Sequence, residues 1–183
     1  MQFAFFISIA IIVIGLLLPQ QYQVSKSVKI NAKTSEIAPY VSDFTKWQTW
    51  SPWEKLDPSI KFSVAKPSSG VGAHQFWQGR WGAGEITITS ISESIINFNI
   101  LFNDEHIASG IIRFSPQQTH TYVSCEIKGE ITTPLTGGYL AILNQHILTN
   151  TVELGLNNLK TTVQLRVTDK GNKNDSQSSS GKN

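Results

Sequence analysis

The sequence predicts an α+β protein: a curved antiparallel sheet wrapped around a long C-terminal helix, with an N-terminal transmembrane helix in front. Three observations carry this expectation. Beyond Ile60, apolar residues recur at alternate positions between turn signals, the period of half-buried strands. Leu148, Val152, Leu156, Leu159 and Val163 then follow at steps of four, four, three and four, the period of one helix face. Finally, Phe3 to Leu18 carries no charge and only Ser8 as a polar side chain.

That first run, as a helix, spans about 25 Å. With Met1, Gln2 and the flanks it approaches a bilayer core of roughly 30 Å. A cleaved signal peptide calls for a basic start and small residues before the cut, whereas this chain opens Met1-Gln2-Phe3 and leaves the run through Leu16-Leu17-Leu18-Pro19. No cysteine follows that could carry a lipid. A buried core helix normally shows a polar stripe, which is missing here. Residues 1–20 are therefore expected to be an uncleaved single-pass anchor. Lys26, Lys29 and Lys33 come after it and no charged side chain precedes it, which places the following domain on the cytoplasmic side.

Tyr22 to Ile30 alternates apolar and polar residues as an opening strand, and a short helix is expected over Thr34 to Val41. Asp43 to Trp47 supplies one more helical turn, ended by the Ser51-Pro52 step. Turn signals at Pro67 to Gly70, Gly79 to Gly84, Asn103-Asp104 and Ser115-Pro116 divide the next region into strands. Ile96, Phe98, Ile100 and Phe102 share one face of one strand, and Val123, Cys125 and Ile127 share one face of another. After Pro134 and Gly137-Gly138 the pattern is helical to about Arg166. The folded unit is thus expected over residues 21–167. Residues 168–183, without an aliphatic side chain beyond Thr168, are expected to form a disordered polar tail.

Composition narrows the function. A chain of 183 residues has room for one core. Its net charge of +2 comes from scattered basic residues, too weak a field for nucleic-acid binding. Cys125 is the only cysteine, so no intramolecular disulfide can form.

The element order resembles the helix-grip fold of the START-like (SRPBCC) superfamily, and the local motifs are similar to its polyketide cyclase/dehydrase and lipid-transport branch. The resemblance runs from about Val24 to Lys160. It is carried by Val24 to Ala32, by Val41-Ser42-Asp43-Phe44 leading to Trp47-Gln48-Thr49-Trp50-Ser51-Pro52-Trp53, by Gly70-Val71-Gly72-Ala73, by Trp77-Gln78-Gly79, by the Gly82-Ala83-Gly84 turn and by Gly155 to Lys160. It implies a cavity between sheet and last helix that takes a hydrophobic small molecule or lipid. Similar sequences often carry a tryptophan where this one has Cys125, which implies a roomier pocket here.

Catalytic motifs are sparse. His74, His106, His120 and His146 lack ligand spacing, so no metal is expected. No nucleophile elbow, P-loop or dinucleotide fingerprint is present, and no cofactor is expected. Cys125 reads as a small inward-facing hydrophobe, and Glu85 alternates with Ile86 onto the wet face. All five tryptophans, however, fall between Trp47 and Trp81. Trp47 and Phe44 suit core packing. Trp50, Trp53, Trp77 or Trp81 suit a pocket mouth or a lipid interface, with Arg80 beside Trp81 as a cation–π or phosphate partner. The expected ligand-binding set is Trp50, Trp53, Trp77, Phe98, Phe102, Cys125, Ile127, Leu156 and Leu159. The leading expectation is a membrane-tethered binding domain for a lipid or hydrophobic small molecule, with no nucleic-acid partner. The alternatives are a cyclase or dehydratase acting on an aromatic or polyketide-like substrate, and a protein-interaction module whose cavity its own side chains fill.

Overall fold

The structure is a computed structural model that describes residues 2–103 and 105–180. Helix α1 (Gln2–Leu17) comes first, followed by strand β1 (Gln21–Ile30), α2 (Thr34–Val41), a 3-10 turn (Phe44–Thr49) and α3 (Trp53–Leu56). Strands β2 (Lys61–Val64), β3 (His74–Gly79), β4 (Gly82–Ile91), β5 (Ile95–Phe102), β6 (His106–Pro116) and β7 (Thr121–Glu130) lead to α4 (Gly137–Ser180).

The strands form one seven-stranded antiparallel sheet in the order β1-β7-β6-β5-β4-β3-β2. Its register follows from the alternation in the sequence. Ile96, Phe98 and Ile100 of β5 are buried, as are Val123, Cys125 and Ile127 of β7, while Asn99 and Lys128 face out. A bulge between Ile88 and Ser90 shifts the β4–β5 register, a device that bends a sheet. Helix α4 lies along β1 on the concave face, and Leu148, Leu156, Leu159 and Val163 sink into the core. Lys26 Nζ donates to Glu153 Oε2 at 2.6 Å, Asn158 Nδ2 to the Trp50 carbonyl at 3.0 Å and Thr162 Oγ1 to the Thr49 carbonyl at 3.1 Å. These bonds hold the helix to β1 and to the segment after α2.

Helix α2 has the bounds expected from its sequence, and its first turn is closed by the Lys33 amide donating to Glu36 at 2.9 Å, half of a capping box. Three differences from expectation stand out. Ser51-Pro52 ends the 3-10 turn, but a further short helix, α3, starts directly after Pro52. The bounds of α4 continue past Arg166 to Ser180, into the segment where a disordered tail is expected. The third concerns the anchor over residues 1–20. Helix α1 has 16 residues, about 24 Å at 1.5 Å per residue, and it stops at Leu17, ahead of Pro19. No helix among the described residues is long and apolar enough to cross a membrane. Among the described residues, the place of the expected transmembrane helix is thus taken by a 16-residue apolar helix, Gln2–Leu17. It packs on the start of α4: Tyr139 Oη donates to the Ile11 carbonyl at 2.8 Å, Gly15 sits under the Tyr139 ring, and Gly138 meets Leu18.

The pairings bring distant turns to one end of the sheet. Gln21 faces Glu130, Ala108 faces Gly129, Phe102 faces His106 and Gly79 faces Gly82. The exit of α1, the start of α4 and the β3–β4 and β5–β6 turns therefore share that end.

Candidate functional site

Between α4 and the concave face of the sheet lies a cavity of about 350 Å³, capped by the segment from Trp47 to Ile60. An engineered apolar cavity of roughly 150 Å³ stays dry and takes up benzene; this one is more than twice as large. All nine residues expected at the site line it: Trp50 and Trp53 from the cap, Trp77, Phe98, Phe102, Cys125 and Ile127 from the sheet, and Leu156 and Leu159 from α4. A cavity filled by its own side chains, as in the interaction-module alternative, does not match this interior.

Local rules place the aromatic groups. Phe98 lies across Gly110 and Trp77 across Gly84, glycines on the neighbouring strands where a Cβ would meet the rings. Trp77 also meets Phe102 edge-on at 5.5 Å, a favoured aromatic geometry. Trp47 and Trp50 serve a structural purpose as well. Their indole N–H groups donate at 2.9 Å to the carbonyls of Val41 and Tyr40, end groups of α2 that lack intrahelical donors. Trp81 is at the rim, 82% exposed. Among the described residues the cation–π contact pairs Lys46 with Tyr40 at 5.7 Å; the Arg80 backbone amide donates to the Ser59 hydroxyl, and the Arg80 charge acts on Asp57.

Asp57, which the sequence reading passed over, lines the cavity at the end of α3. Its Oδ1 accepts from the Ser59 amide at 2.9 Å and the Ser59 hydroxyl at 2.6 Å, and the Ser59 hydroxyl oxygen accepts from the Arg80 amide at 2.9 Å. The Ser59 hydroxyl chiefly, with the Arg80 charge adding to it, holds the Asp57 carboxyl below the usual range, so it is ionised at neutral pH. Cys125 is the opposite case. Burial, with the nearby Glu126 charge, pushes its thiol up to about 12. A thiol so protonated is a wall and no nucleophile. Glu85 is outside the lining, and no cluster of three His, Cys, Asp or Glu among the described residues is arranged to hold a metal.

The sequence reading also missed Gln75, and β3 shows why. In His74-Gln75-Phe76-Trp77, hydrophobicity alone would turn Phe76 inward. Instead Gln75 is 3% exposed and lines the cavity, while Phe76 is 42% exposed on the other face. The register decides this: Trp77 pairs with Gly84 and Gln75 with the buried Ile86, so the space above Gly84 takes the indole and the residue two positions earlier must share its face. No local pattern announces that choice.

No protein-family model matches the sequence, and no curated protein matches it at a significant level. Solved structures do resemble it. Norcoclaurine synthase from Thalictrum, a point mutant in complex with a transition state analogue, superposes with a TM-score of 0.59 at 10% identity, covering 80% of this chain and 96% of that one. The di-domain ARO/CYC StfQ of the steffimycin biosynthetic pathway gives 0.60 at 8% identity, over 81% of this chain and 52% of that one. TTHA0849 from Thermus thermophilus gives 0.58 at 18% identity, over 79% and 98%. At these identities the likeness is one of fold.

Proposed function

We propose that this chain, whose fold is the helix-grip fold of the START-like (SRPBCC) superfamily, is a membrane-associated binding protein for a hydrophobic small molecule or lipid. The observation that carries the reading is the cavity of about 350 Å³ beneath α4 with its aromatic and aliphatic lining. That volume lies in the range of small-molecule pockets. Norcoclaurine synthase and the StfQ ARO/CYC have this fold, which supports a small-molecule occupant. Catalysis by a cyclase or dehydratase finds less support. The Asp57 carboxylate is tied to Ser59 and the Cys125 thiol is held protonated, and a general acid or base needs a pKa near the working pH.

Membrane association is supported by the end of the sheet where α1 docks. Trp81, Ile107, Leu135, Ile142 and Leu143 are exposed there, and so are Phe3, Leu16 and Leu17 of α1. An apolar surface of this kind fits a lipid interface, and an indole at its edge suits the headgroup level. The cavity rim at Trp81, Gly82, Asn103 and Ile147 belongs to the same end, so ligand could pass between bilayer and cavity without crossing water. Placement on the cytoplasmic face is part of this proposal: Lys26, Lys29 and Lys33 follow α1 in the sequence, and the anionic cytoplasmic leaflet attracts basic segments.

Native mass spectrometry of protein extracted under mild conditions tests the binding reading. A co-purifying hydrophobic molecule is expected, released on denaturation; a mass equal to the bare chain in every extraction would count against it. Sedimentation with phospholipid vesicles tests the membrane half, with recovery in the pellet expected and full recovery in the supernatant contradicting it.

A further inference from the structure

The cavity holds one buried polar side chain without a partner. Among the described residues, four polar or charged ones are buried: Asp57, Gln75, Thr121 and Thr151. Asp57 accepts from Ser59, Thr121 Oγ1 donates to the Ala32 carbonyl at 2.8 Å, and Thr151 Oγ1 donates to the Ile147 carbonyl at 2.8 Å. The Gln75 side-chain amide has no hydrogen-bond partner among the described residues; Gln75 belongs to the cavity lining, and its amide atoms open onto that cavity instead of being sealed in protein. An amide left facing an apolar cavity without a partner costs stability. In β3 the chain accepts that cost where the adjacent Phe76, facing out, offers the apolar alternative. Of the other polar side chains of the lining, Asn103 Oδ1 accepts from the Ala83 amide at 2.9 Å and Asn144 acts on the Tyr22 hydroxyl, while Ser51, Trp53 and Trp77 are only half-buried and Trp81 is exposed, so that Gln75 is the one both buried and unpartnered.

Charge restricts the partner further. The lining contains neither lysine, arginine nor histidine, and its single ionisable carboxylate is Asp57, ionised as described above. An anionic headgroup inside this cavity would lose its water, meet no cation and face a like charge. We infer that the ligand is a neutral amphiphile, an apolar body bearing one carbonyl or hydroxyl group that hydrogen-bonds the Gln75 side chain within the cavity. The inference rests on the reading of the cavity as a ligand site. Gln75 is then the residue that discriminates a neutral polar group from both a pure hydrocarbon and a carboxylate.

Displacement of N-phenyl-1-naphthylamine from the full chain by decane, 1-decanol and decanoate tests this at neutral pH. The native protein is expected to bind decanol more tightly than decanoate. Gln75→Met, which keeps the length and removes the amide, should weaken decanol on the order of tenfold, the scale of one lost hydrogen bond, and leave decane unweakened. The ligand-free variant should also unfold at a higher midpoint than native, because an unpartnered buried amide has been removed; a Gln75 that served the fold would give a lower one. Gln75→Leu provides the same readouts should the methionine variant not fold. Equal weakening of decane and decanol, an unchanged decanol affinity, or decanoate binding as tightly as decanol would each overturn the assignment while leaving the cavity a binding site. Failure of the naphthylamine and all three competitors to bind the native chain would overturn both.

Discussion

The two ends of the interior are built from the same strands yet packed differently. Toward the Ile30 end of the sheet, Ile30, Ile37, Val41, Phe44, Ile96 and Val163 are all at most 2% exposed, and α2 with the 3-10 turn seals them. Toward the Gln21 end, the lining of the cavity includes half-buried Trp53, Trp77, Phe102 and Val152 and the exposed Trp81. Close packing at one end supplies stability, and that leaves the other end free to stay hollow. A hollow interior forfeits dispersion contacts, so it persists in a fold where something else fills it or where the solid half compensates.

The largest effect is expected in the solid half. Phe44 is fully buried, meets Trp47 at 4.9 Å and is outside the cavity lining. Phe44→Ala should cost about 3–5 kcal/mol, read by chemical denaturation, with probe affinity in the folded fraction unchanged. A loss below about 1 kcal/mol would mean that this end is not the stabilising one.

Cys125 provides a pH test at the hollow end. Its thiol pKa is raised by burial to about 12, above an unfolded value near about 8.5. The folded state therefore resists thiol ionisation. The contribution is complete below the unfolded pKa and is lost as pH rises from about 8.5 through about 12. Stability should fall over that window, and less steeply in Cys125→Ala. Identical slopes would place the thiol in contact with water.

A smaller change of opposite sign is expected at Gly155, where α4 passes the cap. A Cβ there would meet Pro52 Cδ and Trp50 Cζ3 at 3.5 Å, ordinary contact. Gly155→Ala should thus gain about 0.5–1 kcal/mol through helix propensity, measured as a raised denaturation midpoint. A loss would show that α4 and the cap are closer than this geometry allows.

Much of this was legible in the sequence where one local signal decided the outcome. The alternation in β5 and β7, the bounds of α2 and the stripe on α4 are periodicities that burial reproduces. The nine residues expected at the site share one cavity because their faces followed from the same alternation; their binding of a ligand is the proposal. What escaped depended on partners remote in sequence. Gln75 turns inward because Trp77 must sit over Gly84. Asp57 is fixed by a network that reaches Arg80. The apolar run at the N-terminus showed hydrophobicity but not helix length, and α1 ends at Leu17.

The smallest stability effect is expected from the substitution that most directly separates hollow from solid. Leu156 lines the cavity from α4 and is buried. In a close-packed core Leu156→Trp would cost about 1–3 kcal/mol or more, because neighbours must leave their rotamers. In a ligand cavity the indole occupies open space. Equilibrium denaturation and naphthylamine titration of Leu156→Trp beside the native chain should therefore give a nearly unchanged midpoint and a clear loss of probe affinity. A large drop in the midpoint, with no probe bound by either protein, would contradict the account and mark the interior as solid.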